Sequence, residues 1–315
     1  YPENNNWTNQ NEGRPITMLS SGAQFDISTN DWYDSMQWLR ENTSEDAVIA
    51  SWWDYGYWIT TVGERKTLAD NATLIDWQIR KIASTFMSTP DHAWQILTSD
   101  ARTDVSSHYV SLPDSVYDIN QSKLDSFKSW KEDSSPEKIY DPNVAARYST
   151  LYDYWISEVY EFPPVVTGLD ADYVLINLAV KKLDEDNIMD LYTLKQHGGD
   201  ETKTFWFIKI ADLPVMDYLT TDLTSFTDEF WNETLLGKLI PFTPILYVDP
   251  DNTERQSDTY TPGYIAIYVV DVKFPPDGQG PFQLVYSSPS FAANNAGPLT
   301  GPIIYKINKE YNPNQ

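Results

Sequence analysis

The 315-residue sequence has no cysteine. Disulfides, thiolate nucleophiles and cysteine-based zinc sites are thereby excluded together. Histidine is scarce as well: His92, His108 and His197 show no metal-ligand spacing and read as surface or capping residues, so no metal site is expected in the chain. Basic residues are few, 22 Lys and Arg against 46 Asp and Glu, for a net charge of −24 and a pI near 4.3. That balance argues against nucleic acid, whose phosphates reward Lys and Arg, and fits an acidic surface kept soluble in salty surroundings. Long apolar runs are missing. Tyr264-Ile-Ala-Ile-Tyr-Val-Val270 is short and strand-like, well below the ~20 residues that span a bilayer. There is no glycine-rich phosphate loop and no Gly-x-Ser-x-Gly elbow. Asp249, Asp251 and Thr253 resemble a calcium loop only as far as Glu254, which stands where that loop needs glycine, so the segment reads as an acidic turn. Asp184-Glu185-Asp186 reads as a solvated charge run.

What the chain does have is aromatic residues, 12 Trp, 21 Tyr and 12 Phe, and five of its residues stand apart. Trp52, Trp53, Asp54, Tyr55 and Gly56 spell Trp-Trp-Asp-Tyr-Gly. An indole N–H only donates and an ionised Asp only accepts. Two indoles and one carboxylate held together therefore suit a hydroxyl guest, donating to its lone pairs while Asp54 takes its proton. Such a site rejects analogues without the hydroxyl, because its own polar groups would be left unpaired. Val48-Ile49-Ala50 upstream suits a strand delivering this segment to a loop, and Gly56 suits a sharp turn through positive φ. The competing interpretation is that both indoles are core packing and Asp54 is a cap.

The fold class expected is α+β: a mainly helical central core around the Trp52–Gly56 loop, with an inserted subdomain and a β-rich C-terminal domain. Residues 1–29 are a polar lead-in. Residues 30–101 and 168–240 are assigned to the core, in which Asn30 is expected to cap a helix carrying Trp32, Met36 and Leu39. Ile75, Ile79, Ile82 and Phe86 form a second apolar stripe, and Thr89-Pro90 opens a third helix with Ala93, Trp94 and Leu97. Residues 102–167 shift to Ser, Asp, Tyr and Lys, with amphipathic stretches at Tyr117–Trp130 and Val144–Tyr160, and read as an insertion. Residues 241–315 carry short β-rich runs at Ile245–Val248, Tyr264–Val272 and Phe282–Tyr286, and read as a separate peripheral domain.

Trp-Trp-Asp-Tyr-Gly resembles the hallmark of the oligosaccharyltransferase catalytic subunit, the membrane enzyme that N-glycosylates asparagine in Asn-x-Ser/Thr sequons. The resemblance extends through Asn30–Asn42 and Glu45–Gly56, through Thr67–Thr73 and the helix to Met87, and later to Ala171–Ile176 and Phe230–Lys238. Archaeal and eukaryotic members carry a second element, Asp-x-x-Lys followed by a hydrophobic position. Asp200-Glu-Thr-Lys203, ending at Phe207, matches it in order, with Phe207 where the family usually has Met or Ile. Asp125-Ser-Phe-Lys128 has the bare spacing but lacks the apolar end. The resemblance implies that Trp52, Trp53 and Asp54 bind the acceptor's Ser/Thr, supported by Tyr55 and Gly56. It further implies that Asp200, Lys203 and Phe207 form a second wall whose aliphatic stem touches the threonine methyl. The alternative for Asp200 and Lys203 is a surface ion pair of little worth.

The same resemblance implies that no residue here is catalytic. The acidic residues that hold a divalent metal (Mn or Mg) and activate the asparagine would lie in an N-terminal transmembrane region of a longer protein, from which this chain, opening at Tyr1-Pro2, reads as a fragment. The partners implied are an acceptor polypeptide with Asn-x-Ser/Thr, that transmembrane region, and through it a lipid-linked oligosaccharide, at the extracytoplasmic face of an archaeal membrane. The alternative function class is a secreted glycoside hydrolase or sugar-binding module using exposed aromatics and a carboxylate pair. The chain's own sequons begin at Asn6, Asn42, Asn71, Asn120 and Asn232.

Overall fold

A computed structural model describes residues 30–72, 76–98, 169–182, 189–191, 199–223, 225–249, 251–292 and 297–313. The lead-in, the insertion at 102–167 with Asp125 and Lys128, Ile75, His108, His197 and the 184–186 charge run lie outside the described residues.

The structure is α+β, and a sheet runs through its core. Helix α1 (Asp31–Asn42) leads to strand β1 (Val48–Ala50), a 3₁₀ turn (Trp53–Tyr55), helix α2 (Gly56–Thr61) and strand β2 (Lys66–Thr67). Helices α3 (Asp76–Met87) and α4 (Pro90–Thr98) follow, then strands β3 (Tyr173–Lys182) and β4 (Met189–Leu191). A second 3₁₀ turn (Asp200–Lys203) runs directly into helix α5 (Thr204–Ile210). The later elements are α6 (Val215–Tyr218), α7 (Asp228–Glu233), α8 (Leu235–Leu239), β5 (Phe242–Asp249), β6 (Asn252–Ser257), β7 (Ile265–Val270), β8 (Phe282–Ser287), α9 (Pro289–Ala292) and β9 (Gly297–Ile307).

Helix α1 buries Trp32, Met36 and Leu39 at 3.6-residue spacing. Asn30 precedes it without a side-chain cap; only its backbone carbonyl takes part, accepting from Asp34 N–H at 2.8 Å. Helix α4 begins at Pro90, where a missing N–H costs nothing, and buries Ala93, Ile96 and Leu97. Caps made by side chains occur later, where Thr227 accepts from Phe230 N–H and Thr234 from Gly237 N–H.

Among the described residues the strands form one nine-stranded sheet centred on β3. On one side β3 pairs antiparallel with β9 along its whole length, from Tyr173 opposite Lys306 to Lys182 opposite Gly297, and β9 pairs in turn with β8. On the other side the N-terminal end of β3 pairs parallel with β1 and its C-terminal end antiparallel with β4, which leads on to β7, β5 and β6. The buried run Val174–Val180 suits a strand covered on both faces.

The expectation of a separate β domain at 241–315 is corrected here. β5, β6 and β7 are an outlying antiparallel group with β5 between β7 and β6, but β8 and β9 belong to the central sheet, and β9 is the longest neighbour of β3. The three β-rich runs all fall on strands, whereas β9 reads Gly-Pro-Leu-Thr-Gly-Pro at its start and looks like a turn. Proline survives in this strand for a geometric reason. Asn177 N–H points away from β9, so its antiparallel partner Pro302 likewise faces its nitrogen away from β3, and no bond of that ladder is lost.

Candidate functional site: the Trp-Trp-Asp-Tyr-Gly turn and its lysine

The turn begins where β1 ends. Trp52 is extended, Trp53–Tyr55 form the 3₁₀ turn, closed by Tyr55 N–H to Trp52 carbonyl at 3.2 Å, and Gly56 opens α2. Gly56 is helical, with φ −56°, so positive φ is not its role. Space is: a Cβ there would lie 2.4 Å from the Ala69 carbonyl oxygen and from Asp70 Cα. The chain returning from β2 packs directly on the turn, and Asn71 clamps it by donating to the Asp54 carbonyl at 3.1 Å and accepting from Tyr57 N–H at 3.3 Å.

The two indoles divide their duties. Trp52 is buried, edge-on to Phe207 at 4.6 Å between ring centroids, and Phe207 packs in turn on Phe86 of α3 at 5.4 Å. Phe207 is thus fully buried beneath Trp52. Trp53 is half-buried, 6.1 Å from Trp52. Among the described residues neither indole N–H is paired with an acceptor. Tyr55 is fully buried, packed 4.9 Å from Trp32 of α1.

The second turn meets the first through Lys203. Its ammonium lies 2.6 Å from Asp54 Oδ2 and 3.5 Å from Asp200 Oδ1, donates to the Tyr55 hydroxyl oxygen at 2.8 Å, and sits 4.5 Å from the centre of the Tyr55 ring. The Tyr55 hydroxyl donates in turn to Asp200 Oδ1 at 2.6 Å, and Asp200 Oδ2 accepts from Asn177 N–H of β3 at 2.9 Å. Burial pushes the Asp200 carboxyl upward, opposed by the Lys203 charge, while burial and then the Asp200 charge hold the Tyr55 phenol well above its ordinary value. The phenol therefore stays a donor. Side-chain exposures of 13% for Lys203, 9% for Asp54 and zero for Asp200 mark a shielded network, in contrast to the solvated surface pair held open as an alternative above.

The structure thus brings Trp52, Trp53, Asp54, Tyr55, Asp200, Lys203 and Phe207 together, with Gly56 at the base. Three contributors were not foreseen. Asn177 carries no signal in the sequence beyond its polarity, and Asn71 was noted only as the start of a sequon within the Thr67–Thr73 stretch. Glu201 is fully buried, accepting from Gly199 N–H at 3.1 Å and Ala179 N–H at 3.3 Å, with burial pushing its carboxyl up to about 8. The Gly198-Gly199 pair ahead of it was a readable hint of close approach, since a Cβ on Gly199 would meet Ala179 N and Asn177 O at 2.6 Å. Elsewhere, His92 is half-buried with its imidazole pushed down by burial. Asn71 of one sequon is spent on the turn, whereas Asn232 is exposed.

Fold and site together define an α+β domain organised around a shielded Trp-Trp-Asp-Tyr-Gly turn that is locked by a lysine from a second turn. Comparison with known proteins gives this class its relatives. No protein-family model matches the chain. It is similar to the dolichyl-diphosphooligosaccharide–protein glycosyltransferase subunit STT3B of Arabidopsis thaliana, 39% identical over 85 residues, 27% of this chain and 12% of that protein. It is also similar to the dolichyl-phosphooligosaccharide-protein glycotransferase 1 of Pyrococcus furiosus, 51% identical over 47 residues, 14% of this chain and 5% of that protein. The chain is a homologue of these oligosaccharyltransferase subunits over the matched stretch, and spans only about a tenth or less of their length. Among solved structures, the C-terminal globular domain of oligosaccharyltransferase from Archaeoglobus fulgidus aligns over 90% of this chain and 99% of that one at 14% identity. The C-terminal domain of C. jejuni PglB aligns over 87% and 98% at 12% identity. Both TM-scores are 0.33, too low for the superpositions to carry an argument.

Proposed function

We propose that this chain is the acceptor-recognition part of an oligosaccharyltransferase catalytic subunit, a protein that transfers a lipid-linked oligosaccharide to Asn in Asn-x-Ser/Thr. The observation that carries the reading is the contact of two turns 149 residues apart, Lys203 on Asp54 at 2.6 Å. That contact holds the Asp54 carboxylate, next in sequence to the half-buried Trp53, and supports the reading that this segment receives the acceptor's +2 Ser/Thr hydroxyl. Trp52, Trp53 and Asp54 are the hydroxyl-binding groups, Tyr55 and Gly56 hold them, and Asp200 and Lys203 fix Asp54. Phe207 supports Trp52 from beneath.

Bond-making groups are assigned elsewhere in the whole protein, in an N-terminal transmembrane region that also engages the lipid-linked donor at the extracytoplasmic face of an archaeal membrane. No helix among the described residues is long and apolar enough to cross a membrane. The divalent metal implied by the resemblance, Mn or Mg, is assigned to that region as well; among the described residues no group of three or more His, Asp or Glu could hold a metal ion. The relatives are glycosyltransferase subunits, so the hydrolase or sugar-binding alternative is not supported.

The test is an NMR titration of the chain with peptides carrying Asn-x-Thr or Asn-x-Ala. Shifts at the Trp53 indole N–H and around Asp54 are expected from the first peptide alone; equal shifts from both would overturn the reading.

A further inference from the structure

Residues 175–179 of β3 lie between its two partners on one side. Pairing with β1 ends at Val174 and pairing with β4 starts at Val180. Among the described residues no strand fills the interval, and a buried N–H without an acceptor is costly. Two side chains close the gap. Asp200 Oδ2 accepts from Asn177 N–H at 2.9 Å and Glu201 Oε1 from Ala179 N–H at 3.3 Å, so consecutive residues of the turn meet alternate residues of the strand. Successive outward N–H groups on one edge are ~7 Å apart. One tether would leave the turn free to pivot; two at that separation set its orientation. Glu201 Oε1 also accepts from Gly199 N–H at 3.1 Å, which closes the turn onto itself.

Glu201 is an expensive way to satisfy amides. It is fully buried, and its second oxygen, Oε2, has no hydrogen-bond partner. A fully buried carboxyl with an unpartnered oxygen calls for an explanation. What depends on its geometry lies two residues further on, where Lys203 must reach both Asp54 and Tyr55.

We propose that Glu201 is a positioning residue: with Asp200 it stands in for the missing strand along Asn177–Ala179, and this double anchorage sets the Lys203 ammonium on Asp54. Glu201 touches neither Lys203 nor the indoles in any hydrogen bond, so its effect on them passes through the backbone of the turn. The inference rests on the functional reading above only in its last consequence, the effect on acceptor binding.

The test compares the 315-residue chain with its Glu201→Gln and Glu201→Met variants. Gln keeps a carbonyl acceptor for both amides, whereas Met fills the space without one. In the unaltered chain the Asn177 and Ala179 amides should exchange with solvent as slowly as amides of the β3–β9 ladder. A scalar coupling should run across the hydrogen bond from Lys203 Nζ to the Asp54 carboxyl carbon. Glu201→Gln keeps both. Glu201→Met loses Ala179 protection and the coupling, and weakens Asn-x-Thr peptide binding ~10-fold, while amides of β5 and β7 exchange as before. Fast exchange at Ala179 in the unaltered chain, or an unchanged coupling in Glu201→Met, overturns the proposal. Loss of the coupling in Glu201→Gln does so as well, a result that decides the matter even where the Met variant fails to fold. Should no Asn-x-Thr peptide bind the unaltered chain, the functional reading fails, while exchange and coupling still judge Glu201.

Discussion

Two lysines in this molecule each sit between two aspartates, near opposite ends of β1. Beyond its C-terminal end Lys203 meets Asp54 at 2.6 Å and Asp200 at 3.5 Å. Beside its N-terminal end Lys309 meets Asp172 at 2.7 Å and Asp170 at 3.2 Å, on a cleft of about 660 Å³. The distances are nearly the same, but side-chain exposures differ: 13%, 9% and zero in the first cluster, 44%, 34% and 32% in the second. In the second, water already solvates every charge and the pairs add little. In the first, each charge has given up water and depends on its partners, so the geometry is held tightly and losing one member is costly. Identical chemistry therefore yields a structural lock in one place and a surface ornament in the other.

The largest effect that separates them is expected from Lys203→Met, which removes the ammonium lying between the shielded Asp54 and Asp200 carboxyls. A loss of about 3–5 kcal/mol is expected in chemical denaturation. A loss below about 1 kcal/mol would erase the distinction between the clusters.

Next in size is a pH effect confined to the buried side. Glu201 has its carboxyl raised from 4.5 to about 8, so between those values the folded chain holds a proton that the unfolded chain has released. The stability this contributes is complete below pH 4.5 and is lost as pH rises through about 8, on the order of a few kcal/mol at 1.36 kcal/mol per unit. Other titrating groups overlap this window, so the readout is the difference between the unaltered chain and Glu201→Gln across pH 4.5–8. Parallel stability curves would show that Glu201 is not held neutral by the fold.

The smallest effect should come from Lys309→Ala. It is expected to cost about 0–1 kcal/mol, shrinking further in high salt. A loss matching that of Lys203→Met would show that exposure is the wrong measure of these clusters.

Much of the site was legible locally. Trp-Trp-Asp-Tyr-Gly and Asp-x-x-Lys were recognisable as strings, and the choice of Asp200-Glu-Thr-Lys203 over Asp125-Ser-Phe-Lys128 followed from what flanks them. The purpose of Gly56 was misread, because crowding by Ala69 and Asp70 is a tertiary fact that mimics a conformational one. β9 was missed because Pro298 and Pro302 announce a turn unless one knows which way their nitrogens face. Glu201 was passed over as a spacer, since nothing in Asp-Glu-Thr-Lys says that both of its acids point into a sheet.

By itself the sequence determined the chemical inventory: no thiols, few imidazoles, an acid excess, and a turn of two indoles, a carboxylate and a phenol behind a short strand. It also determined the apolar stripes that make α1, α3 and α4 bury one face, because 3.6-residue periodicity is a local property. Only the tertiary structure decided that Lys203 completes the Trp52–Gly56 turn, that β9 belongs beside β3, and that Asp200 and Glu201 act as a strand that is not there. Those outcomes turn on which groups lose water together and which edge of a sheet is left unpaired, and packing between segments far apart in the chain sets both.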